Sequence, residues 1–476
     1  NVPPMGVSSG DNNEILKLTF LKDASRENLK KHLDGFINGY ENWLNNQKEV
    51  AADRNLTEKT REAADRIFSK IQTAINRMRD GSKVLFDNAD ALVAFRLSQE
   101  AMIRQMEHSG PKYAGSQHEV TDSPEMPELS EYQESKAAWR PFQLAYILLC
   151  LESLINKSSE DREIVDLIWA STGAGKTEAY LALAATEIIY RRKTAAEKAG
   201  GTVVLTRYTL RLLTLQQFER TARLACSLET LRRSAGNEFL GEEEISIGLW
   251  VGNKTHRTFA TAKRVGREII NARNPQGIAG FKLRKCPWCG TEIIPKRDST
   301  KRENYGFIAE SNQFQFNCPN SQCDFNSKLP VQVVDEALYK SPPTILIGTI
   351  DKYARMPWLE GPGNFFGRLG NLPPSLIIQD ELHLLQGPLG TTSGLYEAAI
   401  NSICDLRGGS PKILASTATI REAESQIKAI YGNKTQLFPP AGIDSRDGYF
   451  VQENTSKPGR LYLGILSPIT TPATSF

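Results

Sequence analysis

Long apolar runs are missing from this sequence. Stretches such as Leu144–Leu151 and Leu376–Ile378 fall well short of the roughly 20 apolar residues a helix needs to cross a bilayer, so no membrane association is expected. A basic start followed by an apolar core is missing too; no secretory signal is read, and a cytoplasmic place is the default. Cysteine is sparse and odd in number, seven in all, which does not suit a disulfide framework. No internal repeat is visible. The first residue is Asn1 rather than Met, and the gene is expected to begin upstream. Net charge is nearly absent as well, +3 over 476 residues.

What is present is a soluble, globular composition, 40% hydrophobic and 24% charged, in a chain long enough for two or three domains. The small net charge hides an asymmetry. Between Lys254 and Arg302 there are thirteen Lys or Arg against Glu268, Glu292 and Asp298, which leaves 45 basic against 52 acidic residues elsewhere. A basic surface in an otherwise acidic protein suggests a polyanionic partner; the bland alternative is a solvated, lysine-rich insertion. Four cysteines (Cys286, Cys289, Cys318 and Cys323) cluster, whereas Cys150, Cys226 and Cys404 sit singly in apolar helical patterns and are expected in the core.

Residues 1–110 read as a helical region behind a disordered start, with Leu29, Leu33, Phe36 and Tyr40 on one face and Ala64, Ile67, Ile71, Ile75 and Met78 on another. Residues 111–138 are rich in Pro, Ser, Gly and acidic side chains and read as a linker. After Trp139 the pattern alternates. Strands are expected at Val165–Trp169, Thr202–Leu205, Ile245–Val251, Thr344–Ile347, Leu376–Ile378 and Lys412–Ala415. Helices are expected at Glu178–Arg191, Thr209–Cys226, Gly390–Cys404 and Ala423–Ile430. Such alternation predicts an α/β domain, a mostly parallel sheet flanked by helices, over 139–455. Residues 274–330, with the four cysteines, break the rhythm and read as an insertion.

Strand Val165–Trp169 runs into Ala170-Ser-Thr-Gly-Ala-Gly-Lys-Thr177 and then a helix. A turn carrying Gly173 and Gly175 lets the backbone N–H groups of Thr172, Gly173, Ala174 and Gly175 point at phosphate oxygens, at the positive end of the helix. Lys176 then reaches the β- and γ-phosphates of ATP, and the Thr177 hydroxyl is placed for Mg²⁺. The general loop pattern has Gly where this chain has Ala170, a substitution common in superfamily 2 helicases. Leu376-Ile-Ile-Gln-Asp380-Glu-Leu-His383 supplies the acidic half: Asp380 for the Mg²⁺, Glu381 to orient or deprotonate water, His383 closing the motif. Ser416-Thr-Ala-Thr419 resembles the Ser-Ala-Thr motif of these motors, which makes Ser416 and Thr419 candidates for coupling hydrolysis to nucleic acid. Gln143, in Arg140-Pro-Phe-Gln143, lies where the motors place a glutamine that reads adenine; the alternative is a helix cap. Arg207 and Lys352 follow strands where the motors touch the nucleic-acid backbone, or else sit in polar loops.

Cys286-Pro-Trp-Cys289-Gly290 and Cys318-Pro-Asn-Ser-Gln-Cys323 are two knuckles with 28 residues between them. They suit a four-thiolate Zn²⁺ site that orders a small ribbon. An iron–sulfur cluster is the rival.

Taken together, Trp139–Gln143, Ser171–Tyr180, Arg207–Gln217, Gly248–Gly252, Ile378–His383, Gly387–Gly390 and Pro411–Ile420 resemble the helicase subunit family of the DISARM anti-phage defence system, over most of Ile15–Gly464. The resemblance implies a RecA-like lobe in a bacterial, cytoplasmic, DNA-dependent ATPase that pairs with a DrmB subunit. It assigns nucleotide roles to Lys176, Thr177, Asp380 and Glu381. The second-lobe motif Gln-x-x-Gly-Arg-x-Gly-Arg is not found, and residues 456–476 read as the start of a second lobe. The expectation is a fragment with little turnover by itself. An RNA helicase and a nucleotide-gated DNA scaffold without productive hydrolysis remain as alternatives.

Overall fold

The computed structural model describes residues 5–7, 14–54, 56–113, 118–170, 173–208, 211–252, 258–278, 280–417, 422–444 and 448–453. Its centre is an eight-stranded sheet: β1 Val165–Trp169, β2 Val204–Tyr208, β3 Ile247–Trp250, β4 Val331–Gln332, β5 Ile345–Thr349, β6 Leu376–Gln379, β7 Lys412–Thr417 and β8 Thr435–Phe438. The spatial order is β8-β1-β7-β6-β2-β5-β3-β4, and every pairing is parallel. Alternation sorts the side chains onto two covered faces. Ile168, Val204, Ile378 and Leu414 join one apolar core, while Val165, Leu167, Leu205, Ile377 and Ile413 join the other.

The longer helices among the described residues are α1 Arg26–Asp53, α2 Glu58–Asp87, α3 Ala89–Glu107, α4 Pro141–Ile155, α5 Lys176–Thr194, α6 Arg211–Ala235, α7 Phe259–Ile270, α8 Gly387–Leu406 and α9 Ala423–Tyr431. Parallel neighbours need crossovers, and helices on both faces supply them. The chain is thus a RecA-like α/β lobe. Among the described residues no helix is long and apolar enough to cross a membrane.

The helices before Trp139 are built on clear local signals. Ser25 caps α1 by accepting from Asn28 N, Thr57 caps α2 by accepting from Thr60 N, and buried residues recur at helical spacing, as at Leu29, Leu33, Phe36 and Tyr40. They pack into the lobe's own core: α2 lies on α4, and α3 lies on both α5 and α6. Gly81 makes the first contact possible, because a Cβ there would stand 1.8 Å from the Leu148 carbonyl oxygen.

A buried charge cluster ties α2 to the sheet. Arg77 grips Asp166 of β1 with both terminal nitrogens, at 2.6 and 2.9 Å, and its Nε lies 2.7 Å from Asp161. Lys412 of β7 reaches the same carboxylate at 2.9 Å. Burial opposes the Asp166 charge, yet Arg77 and Lys412 hold its carboxyl below the usual range. Removing Asp166 leaves Lys412 to the backbone carbonyls of Asp161 and Ile164 and leaves Arg77 to Asp161, two buried cations that have lost the carboxylate they shared. Asp166→Ala is therefore expected to lower the unfolding free energy by about 3–5 kcal/mol, read from denaturant titration; a loss under about 1 kcal/mol, the scale of an exposed pair, would contradict it.

The cysteine-bearing insertion sits between α7 and β4, with a two-stranded antiparallel ladder, Phe307–Ala309 on Phe314–Phe316. Described residues of 111–138, a linker by composition, contact this insertion. His118 N donates to Gly290 O at 3.1 Å, Glu292 N donates to His118 O at 2.8 Å, and Tyr113 and Tyr132 are buried. The expected second-lobe start, 456–476, lies outside the described residues.

Candidate nucleotide site and metal centre

Three adjacent strands, β1, β7 and β6, bring their C-terminal ends together, the usual place for a ligand in an open α/β sheet. The loop after β1 turns through left-handed glycines, Gly173 at φ 83° and Gly175 at φ 90°, before α5 begins at Lys176. Nothing stands within 4 Å of where a Gly173 Cβ would be, so the turn has open space at that residue. Ser171 and Thr172 lie outside the described residues. This turn on a helix N-terminus fits a phosphate chain.

Lys176 Nζ donates to Ala170 O at 2.7 Å and to Thr417 O at 3.3 Å, which spans β1 and β7. Burial lowers its pKa, and the charges of Glu381 and Asp380 act the other way. Asp380, at the end of β6, is buried and takes three donors: Ser416 Oγ and Glu381 N (3.0 Å) reach Oδ1, and Tyr180 Oη reaches Oδ2 at 2.8 Å. Tyr180 Oη is also 3.1 Å from Thr177 Oγ1. With one phenol oxygen within reach of both, Thr177 and Asp380 are close enough to share one hydrated divalent cation.

Glu381 adopts φ 50°, a left-handed backbone uncommon for a residue with a side chain and costly to hold. Its carboxyl pKa is raised by burial first and by Asp380 second, against Lys176 and His383. His383 Nδ1 is 3.4 Å from Thr417 Oγ1 and 3.4 Å from Glu381. Thr419 lies outside the described residues. Gln143 does two things at once: Oε1 accepts from Arg140 N at 2.8 Å as a cap, and Nε2 donates to Gly175 O at 2.7 Å in the loop. Arg140 adds a bond from Nη1 to Ala174 O at 2.6 Å. Ala174 itself is buried.

Arg207 and Lys352 are not brought to this site's surface. β2 runs to Tyr208, past the expected end at Leu205, because residues 204–207 pair with both β5 and β6. That puts Arg207 inside the sheet, where it is 1% exposed, ion-paired with Glu397 of α8 and 5.2 Å from the Tyr353 ring. Lys352 is equally buried, 2.5 Å from Asp335. In this structure neither side chain can reach a nucleic-acid backbone. Buried carboxylates claim both, Glu397 from far along the chain and Asp335 from 17 residues before Lys352.

The four sulfur atoms of Cys286, Cys289, Cys318 and Cys323 all lie within 4.8 Å of one another, and all four residues are buried. Cys286 N donates to Thr291 O at 2.7 Å, Gly290 N donates to Cys286 O at 2.9 Å, and Gly290 takes φ 80°, which closes the first knuckle. Hydrogen bonds from the other three thiols lower the pKa of the Cys289 thiol, and its sulfur lies 3.4 Å from Cys318 Sγ. The cluster fits a closed zinc site.

Between its first two cysteines, Trp288 stacks on His108, at the C-terminal end of α3, with ring centroids 3.4 Å apart. Trp288 O can only accept, so His108 Nδ1 donates to it at 2.8 Å. His108 Nε2 is then an acceptor for Tyr132 Oη at 2.6 Å. Burial pushes the His108 pKa down to about 4, and the ring is neutral at pH 7. Cys150, Cys226 and Cys404 are also buried and are not part of the four-sulfur group.

Sequence reasoning passed over Tyr180, Arg140 and the His108–Trp288 stack. Helical spacing alone puts Tyr180 above Thr177 on α5, but its second partner comes from β6.

No family model matches the chain. The curated DISARM protein DrmA of Bacillus paralicheniformis is 36% identical over 499 aligned positions, which cover 93% of this chain and 42% of that protein. The chain thus spans less than half the length of that relative. Among solved structures, DUF1998 helicase MrfA bound to DNA and AMPPNP is 12% identical, with a TM-score of 0.37 over 71% of this chain and 33% of that one. The Mycobacterium smegmatis helicase Lhr bound to ssDNA and AMP-PNP is 16% identical, with a TM-score of 0.36 over 63% and 26%.

Proposed function

Kinship with the DISARM protein DrmA along 93% of the chain is the premise from which we propose an ATP-hydrolysing motor lobe, acting on DNA within an anti-phage defence system. One observation carries the chemistry: Lys176, Thr177, Asp380, Glu381 and Ser416 converge at the ends of three neighbouring strands. A glycine turn on a helix N-terminus holds the phosphates, and Lys176 exchanges its carbonyl partners for phosphate oxygens. Thr177 and Asp380 hold the cation, which supplies charge neutralisation on the phosphates when bound. Glu381 takes the proton of the attacking water. Ser416 links Asp380 to β7, so a change at the nucleotide is felt along the motif that continues to Thr419. Gln143, already bonded to the loop, senses the base end of the nucleotide. Zinc in the four-thiolate cluster orders the inserted ribbon, and the subunit pairs with a DrmB-type partner in the bacterial cytoplasm.

The test is steady-state ATP turnover by the full-length subunit with no nucleic acid, with DNA and with RNA. Stimulation by DNA that vanishes in Lys176→Ala is expected. Stimulation by RNA alone would make the protein an RNA motor. DNA binding that responds to ATP without turnover would make it a scaffold.

A further inference from the structure

Tyr180 stands between the two residues proposed to hold the cation. Its ring is 2% exposed, and its oxygen is 2.8 Å from Asp380 Oδ2 and 3.1 Å from Thr177 Oγ1. A phenol has one proton, and a carboxylate can only accept. The Tyr180 proton therefore goes to Asp380, and the Thr177 hydroxyl donates to Tyr180. Asp380 Oδ1 already receives Ser416 Oγ and Glu381 N, so Tyr180 is the donor that holds Oδ2.

The direction of the Thr177 proton matters. A hydroxyl ligates a cation through a lone pair, so its proton must be taken by an acceptor on the far side. We propose that Tyr180 is a positioning residue of the cation site: it accepts the Thr177 hydroxyl proton in a hydrogen bond and donates its own to Asp380. Both oxygens are thereby turned towards one divalent cation. The inference rests on the nucleotide reading above and adds to it a residue that binds neither phosphate nor metal.

Tyr180→Phe keeps the ring and deletes only the bridging oxygen. Binding of a fluorescent ADP to the purified protein is measured in EDTA and across a Mg²⁺ series, with the melting temperature as a check of folding. In EDTA, Tyr180→Phe is expected to bind as the parent does. The tightening that Mg²⁺ confers on the parent should fall about tenfold, the scale of one hydrogen bond to a charged group. An unchanged Mg²⁺ dependence overturns the proposal, as does loss of binding in EDTA, which would indicate a collapsed loop instead. Lys176→Ala run in parallel separates the two levels. If it binds nucleotide as tightly as the parent, the nucleotide reading itself fails and Tyr180 loses its role with it; if it does not, the Mg²⁺ series judges Tyr180 alone.

Discussion

Glu381→Gln in the full-length subunit should bind ATP as well as the parent and turn it over about 10²–10⁴ times more slowly, the usual contribution of a positioned general base. The amide keeps the size and hydrogen-bonding reach of the side chain but cannot take the proton. The surroundings favour this role. Burial and the neighbouring Asp380 raise the carboxyl pKa, which makes Glu381 a stronger base than an exposed glutamate. Asp380 is committed to Ser416, Tyr180 and the Glu381 backbone, so it is not free to take the proton in its place. The left-handed backbone at Glu381 turns the chain immediately after Asp380, separating the cation's carboxylate from that of the water. Single-turnover hydrolysis and nucleotide binding, measured together, check the expectation. Normal turnover in Glu381→Gln would sink the assignment, whereas a parallel loss of binding would show that the residue holds the nucleotide instead.

Removal of the metal from the cysteine cluster should have the largest structural effect. Structural zinc sites bind with about 10–16 kcal/mol at neutral pH, and for a small ribbon that binding is most of its folding energy. Metal analysis should give about one zinc per chain, falling towards zero in the Cys286→Ser, Cys289→Ser double variant. The damage should not stop at the ribbon. Trp288 stacks on His108 and accepts its hydrogen bond, and His118 pairs with Gly290 and Glu292, so hydrogen exchange should accelerate around 108–132 as well as around 281–329. Protection that survives chelation at both places would contradict this account. Iron with visible absorbance would replace zinc by a cluster.

The parts of the molecule that were legible in the sequence are those set by short-range pattern. The Gly173–Thr177 turn lies between a strand and a helix, and apolar Leu376–Ile378 ends on Asp380; period and turn chemistry suffice for both. Arg207 shows where that stops. Residues 206–209 look like a polar loop after a strand, but the strand continues because β5 and β6 pair with it on both sides. Its partner Glu397 lies on α8, far along the chain, and no local signal announces it. Lys352 and Asp335 repeat the lesson within one buried pair. The stretch 111–138 has a linker's composition, and composition does not record that a ribbon offers it backbone partners. Tyr180 was half legible: its spacing from Thr177 is helical, its bond to Asp380 is tertiary.

The Arg77–Asp166–Lys412 cluster also bears on how such a chain can vary. A neutral residue at position 166 takes from Arg77 and Lys412 the carboxylate they share, and a neutral residue at 77 or 412 takes from the buried Asp166 one of its two cations. Stepwise substitution therefore passes through a destabilised intermediate, and the three positions are free to change only as a group. A hybrid that takes its leading helices from one relative and its sheet from another inherits a sound interior only if both parents use the same charges there. The junction at Trp139, which looks like the natural place to recombine, is for that reason a poor one.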